Sequence, residues 1–113
     1  MNDQTIQIFE QIKKVNDYGQ EYWLARDLAE ILGYQKYANF QIVISKAKES
    51  CKKSGQSIKN HFADVGKMIK LGSTASREVS DISLSRYACY LIMQNADPSK
   101  EIVALGQTYF AIQ

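Results

Sequence analysis

The segment from Leu84 to Met93 constrains the fold most, because a helix drawn through it is apolar on nearly every side. Ser83 or Ser85 can cap this helix, since a serine hydroxyl accepts a hydrogen bond from a free N–H of the first turn. The apolar residues at helical spacing are Leu84, Tyr87, Ala88, Leu91 and Ile92, with Cys89, Tyr90 and Met93 on the remaining sides. We therefore expect this helix to be buried almost all round or to meet a partner.

The length and composition of the chain are those of one globular domain. It has 113 residues, of which 45% are hydrophobic and 23% charged, enough for a single core. Its longest uninterrupted apolar run, from Tyr87 to Met93, is far shorter than the roughly 20 residues that a membrane-spanning helix needs. The first residues lack the basic start and apolar centre of a secretory signal. We expect one domain over residues 1–113, working in the cytoplasm without membrane contact.

Two consecutive helices are predicted in the first half of the chain. The first has an apolar face with the spacing i, i+4, i+7, i+8, and Gly33 can take the left-handed conformation that ends a helix. The second is predicted from about Tyr37 to Lys53, with Ile42 as an apolar misfit among lysines. The predicted core residues are Leu24, Leu28, Ile31 and Leu32 on the first helix, and Tyr37, Phe40, Ile44, Ala47 and Cys51 on the second.

This pair of helices partly fits a helix-turn-helix motif. Ala29 and Gly33 have the spacing of the small residue and the turn glycine of that motif. The apolar residue expected about six positions after the glycine is instead Asn39, with Phe40 next to it. We predict a helix-turn-helix-like pair with a lengthened turn, while two packed helices in any small core would have the same pattern.

The remaining segments predict a small antiparallel sheet. Residues 6–15 could form a helix or a strand, and residues 21–24 are a candidate strand. Met68 to Leu71 and Val79 to Leu84 can pair as a hairpin whose turn spans Gly72 to Ser76. The expected fold class is therefore α+β: mostly helical, with a small antiparallel hairpin or sheet.

A last helix is predicted to begin at Asp97 and Pro98, as N-cap and first helical residue. Its apolar face would consist of Ile102, Leu105, Tyr109 and Ile112. Because this pattern reaches the end of the sequence without a capping residue, we expect the chain to be a fragment of a longer protein.

Charge is unevenly distributed along the chain. The net charge is +2, yet residues 36–77 hold nine lysines and arginines against two acidic residues, whereas both flanking segments are mildly acidic. Such a basic block is expected of a surface that meets a polyanion, although a charged segment is more often simply a solvated face.

We predict a nucleic-acid-binding surface on the second helix and the hairpin. Lysine and arginine would contact phosphates and position the domain, together with the hydroxyls of the hairpin tip. Gln35, Lys36 and Asn39, at the polar start of the second helix, could contact base edges or could simply cap the turn. The predicted binding residues are Lys36, Asn39, Lys46, Lys48, Lys52, Lys53, Lys67, Lys70 and Arg77.

The sequence gives little support for catalysis. His61 is the only histidine, and no motif connects it with Cys51 or Cys89 as a metal site or a catalytic pair. There is no phosphate-binding loop of the GxxxxGK[ST] type. We therefore expect neither an enzyme nor a bound metal or cofactor, and two reduced thiols.

Several strings of the sequence resemble a known family. They are LSRYACYLIMQNADPSKEIVALGQTYFAIQ at the end, EYWLARDLAEILGY near the start, and KAKESCKKSGQ and HFADV between them. Over nearly its whole length the chain resembles the N-terminal domain of the bacterial DNA-damage-inducible protein D family. That family is related to the BRO-type N-terminal domains of phage antirepressors and baculovirus proteins. The resemblance implies an α+β domain of a DNA-binding type and a role in the DNA damage (SOS) response.

The alternative function is that of a protein-interaction or dimerisation module. In this interpretation the apolar helix around Tyr90 and the aromatic C-terminus would contact a repressor, a recombination protein or a second copy of the chain. If Tyr90 and Met93 remain exposed beside Phe110, we expect the domain to form a homodimer, because such patches rarely face water in a monomer.

Overall fold

The structure is a computed structural model that describes residues 3–112, with side chains from Gln7 onward. Its helices are α1 (Asp3–Ile12), α2 (Ala25–Ile31), α3 (Tyr37–Lys53), α4 (Ile58–His61), α5 (Arg86–Asn95) and α6 (Glu101–Ala111). Its strands are β1 (Lys14–Val15), β2 (Glu21–Leu24), β3 (Phe62–Lys70) and β4 (Ser76–Leu84). The predicted α+β class is confirmed. The segment 6–15, which was compatible with helix or strand, is divided between the end of α1 and the short β1.

The strands form one antiparallel sheet in the order β1-β2-β4-β3. The predicted hairpin is present, but its strands are longer than their apolar runs, at nine residues each. Polar residues extend both strands because backbone pairing continues from Phe62 opposite Leu84 to Lys70 opposite Ser76. Only the base of this hairpin is buried, so its outer half projects from the body of the domain.

The two predicted helices α2 and α3 are consecutive, and α3 has the predicted bounds. Gly33, in the connection between them, has a φ of 82°, the left-handed conformation that lets the chain leave α2. The next residue, Tyr34, returns its N–H to the carbonyl of Ala29 at 3.0 Å. The connection from Leu32 to Lys36 fixes where α3 begins.

Helix α3 divides cleanly into a buried and an exposed face. Its buried residues are Phe40, Val43, Ile44, Ala47 and Cys51, which confirms the predicted core face except at Tyr37, which is half-buried. Ile42 is 58% exposed and lies on the lysine side, as its position in the sequence indicated. Since the buried face holds the helix on the core, the opposite face is free to contact another molecule.

Helix α5 is the central element of the core. Ser85 caps it, because its hydroxyl accepts a hydrogen bond from the N–H of Ala88 at 3.0 Å. Cys89, Ile92 and Met93 are completely buried. The expected burial on nearly all sides is met only in part, since Tyr87, Tyr90 and Leu91 on the other side of the helix are half-buried. Within residues 3–112, no helix has the length and apolarity needed to cross a membrane.

Self-association was predicted only if Tyr90 and Met93 were exposed beside Phe110, and the structure does not meet this condition. Met93 is completely buried and Phe110 is 3% exposed, so the apolar residues near the end of the chain pack inside one molecule. Phe110 packs edge-on to Trp23, with ring centroids 5.0 Å apart. Tyr90 remains half-buried at the surface. The aromatic C-terminus is therefore mainly core and offers little apolar surface to a second copy.

The predicted start of the last helix is wrong. Helix α6 begins at Glu101 with Lys100 as its N-cap residue, not at Asp97 and Pro98. The carboxylate of Asp97 instead accepts hydrogen bonds from the N–H and hydroxyl of Ser99, at 3.0 and 2.8 Å. The N–H of Ser99 is one that an N-cap aspartate would bond, but here the contact belongs to a separate turn, which the N–H of Lys100 closes on the carbonyl of Asp97 at 3.2 Å. The helix begins only after this turn.

Arg86 joins α5, α6 and β2. Its guanidinium donates two hydrogen bonds to the carboxylate of Glu21, at 2.6 and 3.1 Å. It also donates to the carbonyls of Tyr109 and Ile112 near the end of α6. The hydrogen bond from Arg86 lowers the pKa of Glu21 against the opposing effect of burial. This contact holds the C-terminal end of α6 beside the sheet.

Candidate nucleic-acid interface

The exposed face of α3 carries four of the predicted binding residues. Lys46, Lys52 and Lys53 are exposed and Lys48 is half-buried. The acidic residue among them is Glu49, which pairs with Lys53 at 3.0 Å. Because both side chains of this pair are largely exposed, the pair is weak and exchanges readily with other anions. The face therefore keeps a positive charge toward the solvent.

Helical geometry divides these lysines between two edges of the exposed face. Lys46 and Lys53 are seven residues apart and share one edge, while Lys48 and Lys52 are four apart and share the other. Ile42 and Glu49 lie between the two edges. Two rows of cations can contact two lines of phosphates at once, as on either side of a nucleic-acid groove, provided that Glu49 between them stays paired with Lys53.

The start of α3 is held against the hairpin by Arg26 of α2. The Nε of Arg26 donates a hydrogen bond of 2.7 Å to the carbonyl of Ser80 on β4. Its guanidinium carbon lies 4.1 Å from the ring centroid of Tyr37, the first residue of α3. Burial raises the pKa of Tyr37. The first residue of α3 is therefore anchored beside β4, and Lys36 and Asn39 at the same end of the helix are exposed.

Asp81, on β4, anchors the same junction from inside. It is 1% exposed, and its Oδ1 accepts hydrogen bonds from the N–H of Arg26 at 3.0 Å and of Ile82 at 2.8 Å. Helix α2 has no cap from its own N-cap residue, Leu24. The carboxylate of Asp81 therefore satisfies a free N–H in the first turn of α2 from a distant strand.

The three predicted cations of the hairpin are not equivalent. Lys67 forms an ion pair of 2.9 Å with Asp27 of α2, and both side chains are largely screened from water. This pairing occupies its charge, so Lys67 fixes the hairpin to α2 and is less free to bind phosphate. Lys70 and Arg77 are exposed near the tip, on either side of a loop that also exposes Ser73 and Thr74.

The predicted residues thus fall into separate regions of the surface. Helix α3 has 17 residues and is about 25 Å long, so Lys52 and Lys53 lie roughly 20 Å from Asn39 at its start. Arg77 lies three residues along β4 from Ser80, which is about 10 Å from the Arg26 contact. A ligand that met both ends of α3 and the hairpin would have to be long, as a nucleic-acid strand is.

His61 lies in a separate polar cluster. Its Nδ1 is 2.7 Å from the hydroxyl of Ser85, and its ring contacts the edge of Tyr87. The Tyr87 hydroxyl in turn is 2.9 Å from that of Ser54, just after α3. This cluster borders an open groove of about 870 Å³. The Ser85 hydroxyl that His61 contacts is also the cap of α5. His61 therefore has the contacts of a structural residue, which join α4 to α5 and, through Tyr87, to the end of α3.

Metal-ligating side chains do not cluster in the part of the chain that the structure describes, where no group of three or more histidine, cysteine, aspartate or glutamate residues could hold an ion. Cys51 and Cys89 are buried and free. Burial raises the pKa of both thiols, so they stay protonated and packed in the core.

Two basic residues near this surface are not among the predicted binding residues. Lys59 is exposed on α4, which packs against α3. It belongs to the basic middle of the sequence, and that charge excess is the signal that could have included it. Arg26 lies outside this block, and only the fold shows that it joins the start of α3 to the hairpin.

Comparison with known proteins places this fold in a family. The chain matches the model of the BRO family N-terminal domain over residues 11–111. It is 53% identical over 107 residues to a protein of Escherichia coli (strain K12) named DNA damage-inducible protein D. That match covers 95% of the chain and 39% of the relative, so the chain spans about two fifths of the relative's length. No solved structure matches the chain with significant similarity.

The matched region contains the elements that build the surface described above. It includes α2, α3 and the complete β3-β4 hairpin, together with Arg26, which joins them. The predicted resemblance is confirmed by both the family model and the relative. The chain therefore belongs to the BRO family, as an N-terminal domain of that family.

Proposed function

We propose that this domain binds DNA and has a regulatory, non-enzymatic role in the cytoplasmic response to DNA damage. Two observations support the proposal: membership in the BRO N-terminal domain family, and a relative whose name states that it is inducible by DNA damage. More specifically, we propose that the role is of an SOS type or resembles that of an antirepressor. We propose the same regulatory role in the DNA damage response for any longer protein that contains this domain.

The observation that carries the proposal is the exposed face of α3. Four lysines share that face with one acidic residue, Glu49, whose ion pair is solvent-exposed and easily exchanged. A buried apolar face holds the helix in place. In the proposed mechanism these lysines neutralise phosphates and release condensed counterions, which is the main source of sequence-independent affinity for DNA.

The hairpin tip and the start of α3 would complete the contact. Lys70 and Arg77 would bind phosphates beside those met by α3, while Lys67 would bind only if it left Asp27. Lys36 and Asn39 are exposed at the start of α3, where an amide side chain can bond an adenine edge. In this proposal, the residues at the start of α3 contact the base edges of the DNA.

A charge-reversal experiment tests the location of the interface. Lys52→Glu and Lys53→Glu together should weaken binding to duplex DNA by about tenfold or more at low salt, and flatten the salt dependence. Lys13→Glu with Lys14→Glu is the matched control, since it makes the same change of net charge on another adjacent pair. The control should change affinity by no more than about threefold, because Lys13 and Lys14 lie outside the proposed interface and only long-range attraction to DNA is altered. It also removes the ion pair of Lys13 with Glu10 at 2.8 Å, so a thermal melt must show that the control variant folds.

An equal loss in the two double variants would contradict the proposed location, since binding would then depend on net charge alone.

A second variant, Asn39→Ala, tests whether Asn39 contacts base edges rather than phosphates. It should reduce the preference among DNA sequences and leave the salt dependence unchanged. Affinities can be measured by fluorescence anisotropy with two labelled duplexes of different sequence.

Protein interaction is the second candidate function. The observation that favours it is a shallow cavity of about 290 Å³ beside the half-buried Tyr90. The partner proposed for this surface is a repressor or a recombination protein. In that case Tyr90→Ala should abolish partner capture and leave DNA affinity unchanged.

A further inference from the structure

The outer half of the β3-β4 hairpin is an exposed ribbon that carries apolar side chains. Val65, Met68 and Leu71 are 37%, 62% and 57% exposed. Among the described residues, the side-chain ion pair that ties this half to the body is that of Lys67 with Asp27. Beyond it, backbone pairing between the two strands continues to Lys70 and Ser76. The tip is therefore held by its own hydrogen bonds and is uncovered.

The tip is built to hold Leu71 in a fixed position. The N–H of Leu71 donates a hydrogen bond of 2.9 Å to the carbonyl of Ala75, which closes the loop between the strands. The next residue, Gly72, has a φ of 148°, a conformation that other residues rarely adopt. An apolar side chain thus stands at the end of the ribbon, on backbone that a turn glycine and a closing hydrogen bond define.

The surroundings of Leu71 are suited to a polyanion. The segment from Lys70 to Arg77 has one cation at each end, three serine or threonine hydroxyls and no acidic residue. Cations and hydroxyls contact phosphates, and a protruding apolar side chain between them can enter a base step. A protein partner with an apolar pocket would not require this flanking positive charge. Charge complementarity therefore favours nucleic acid as the occupant.

The dimensions of the ribbon suit a duplex groove. From Val65 to Lys70 it extends roughly 16 Å, more than the depth of either groove of B-DNA, which is about 7.5 to 8.5 Å. Two strands with their side chains are wider than the minor groove, which is about 6 Å across. The whole ribbon therefore fits only the major groove, which is about 12 Å wide, whereas the narrow tip alone can enter the minor groove and must widen it, as inserted apolar side chains do.

We propose that Leu71 is a wedge that inserts between base pairs from the minor groove and bends the DNA. The proposal rests on the proposed DNA-binding function and defines its substrate class as duplex DNA that is easily deformed. Lys70 and Arg77 bind the phosphates of the two strands on either side of the inserted side chain. Pyrimidine–purine steps, mismatches and nicks are the preferred sites, because they unstack at lower cost.

The test compares Leu71→Ser with Met68→Ser. Both variants remove an exposed apolar side chain from the same hairpin, and both should fold, which a thermal melt checks. A 25-base-pair duplex with a central TA step and a dye at each end reports bending by energy transfer. The wild-type domain and Met68→Ser should shorten the distance between the dyes, and Leu71→Ser should bind with the same salt dependence without shortening it.

A second measurement uses a duplex with one central mismatch. The wild-type domain should prefer it over the matched duplex by about tenfold, and Leu71→Ser should prefer it by less than about twofold. Bending by Leu71→Ser equal to that of the wild type would overturn the wedge, as would a wild-type complex with straight DNA and normal salt dependence. If the wild type shows no salt-dependent DNA binding at all, the proposed function itself fails, and the wedge with it.

Discussion

Two helix caps show, at the scale of single residues, what the sequence can and cannot predict. Ser85 caps α5 through a residue three positions away, so the local pattern was enough to predict a serine cap, at Ser83 or Ser85. Asp81 caps α2 from 55 residues away, and no local pattern connects it with Arg26. The same difference applies to the site: the exposure of Lys46 follows from helical spacing, whereas the pairing of Lys67 with Asp27 depends on tertiary contact.

Replacing the buried Asp81 should destabilise the domain. Asp81→Ala leaves the N–H groups of Arg26 and Ile82 without their acceptor and should cost about 2 kcal/mol of unfolding free energy. Asp81→Asn keeps an acceptor oxygen and removes a buried charge, so it should cost less. The free energy of unfolding can be measured by urea titration.

Asp64→Ala is the matched control for this prediction. Asp64 is an exposed carboxylate on the neighbouring strand β3, and its removal should change stability by no more than about 0.5 kcal/mol. If Asp81→Ala were as harmless as Asp64→Ala, Asp81 would not be the cap of α2.

At the scale of secondary-structure elements, strong periodicity predicted best. The bounds of α3 follow from its regular apolar face, and the hairpin followed from two apolar runs around a glycine turn. The lengths of β3 and β4 could not be predicted from their apolar runs, because the outer residue pairs of the hairpin are held by backbone hydrogen bonds that polar residues make equally well. The predicted start of α6 was wrong because Asp97 bonds within a separate turn that ends before the helix begins at Glu101. The place of α6 depends on Arg86, which binds its last carbonyls.

The Arg86–Glu21 pair should make stability depend on pH. The hydrogen bond from Arg86 lowers the pKa of Glu21 in the folded domain. A carboxylate whose folded pKa lies below its unfolded value stabilises the fold above that unfolded value, about 4.5, and loses this contribution as the pH falls. Glu21→Gln should therefore be less stable than the wild type at pH 7, by roughly 1 kcal/mol, and show a smaller loss between pH 5 and pH 3.

Glu49→Gln serves as the comparison, since its ion pair with Lys53 is largely exposed and contributes little. It should follow the wild-type pH profile when unfolding is measured by urea titration at each pH. A Glu21→Gln profile parallel to that of the wild type would show that Arg86 does not hold Glu21 as described.

At the scale of the whole molecule, the fold arranges the basic segment into a broad surface. Sequence indicated that residues 36–77 carry the positive charge, and the periodicity of α3 indicated which side faces water. The strand order β1-β2-β4-β3 and the Arg26 contact between α3 and β4 could not be predicted, because both depend on contacts between distant segments. These contacts bring the start of α3 to the hairpin and leave Lys52 and Lys53 at the far end of α3.

The most direct test of the proposed function is the salt dependence of DNA binding by the wild-type domain. If about five cations of α3 and the hairpin neutralise phosphates, the logarithm of the association constant for duplex DNA should fall with the logarithm of salt concentration with a slope of roughly −4 to −5, and less steeply for single strands. The titration should begin at low ionic strength, where the electrostatic contribution is largest. The absence of salt-dependent binding under those conditions would contradict the DNA-binding function and favour protein interaction.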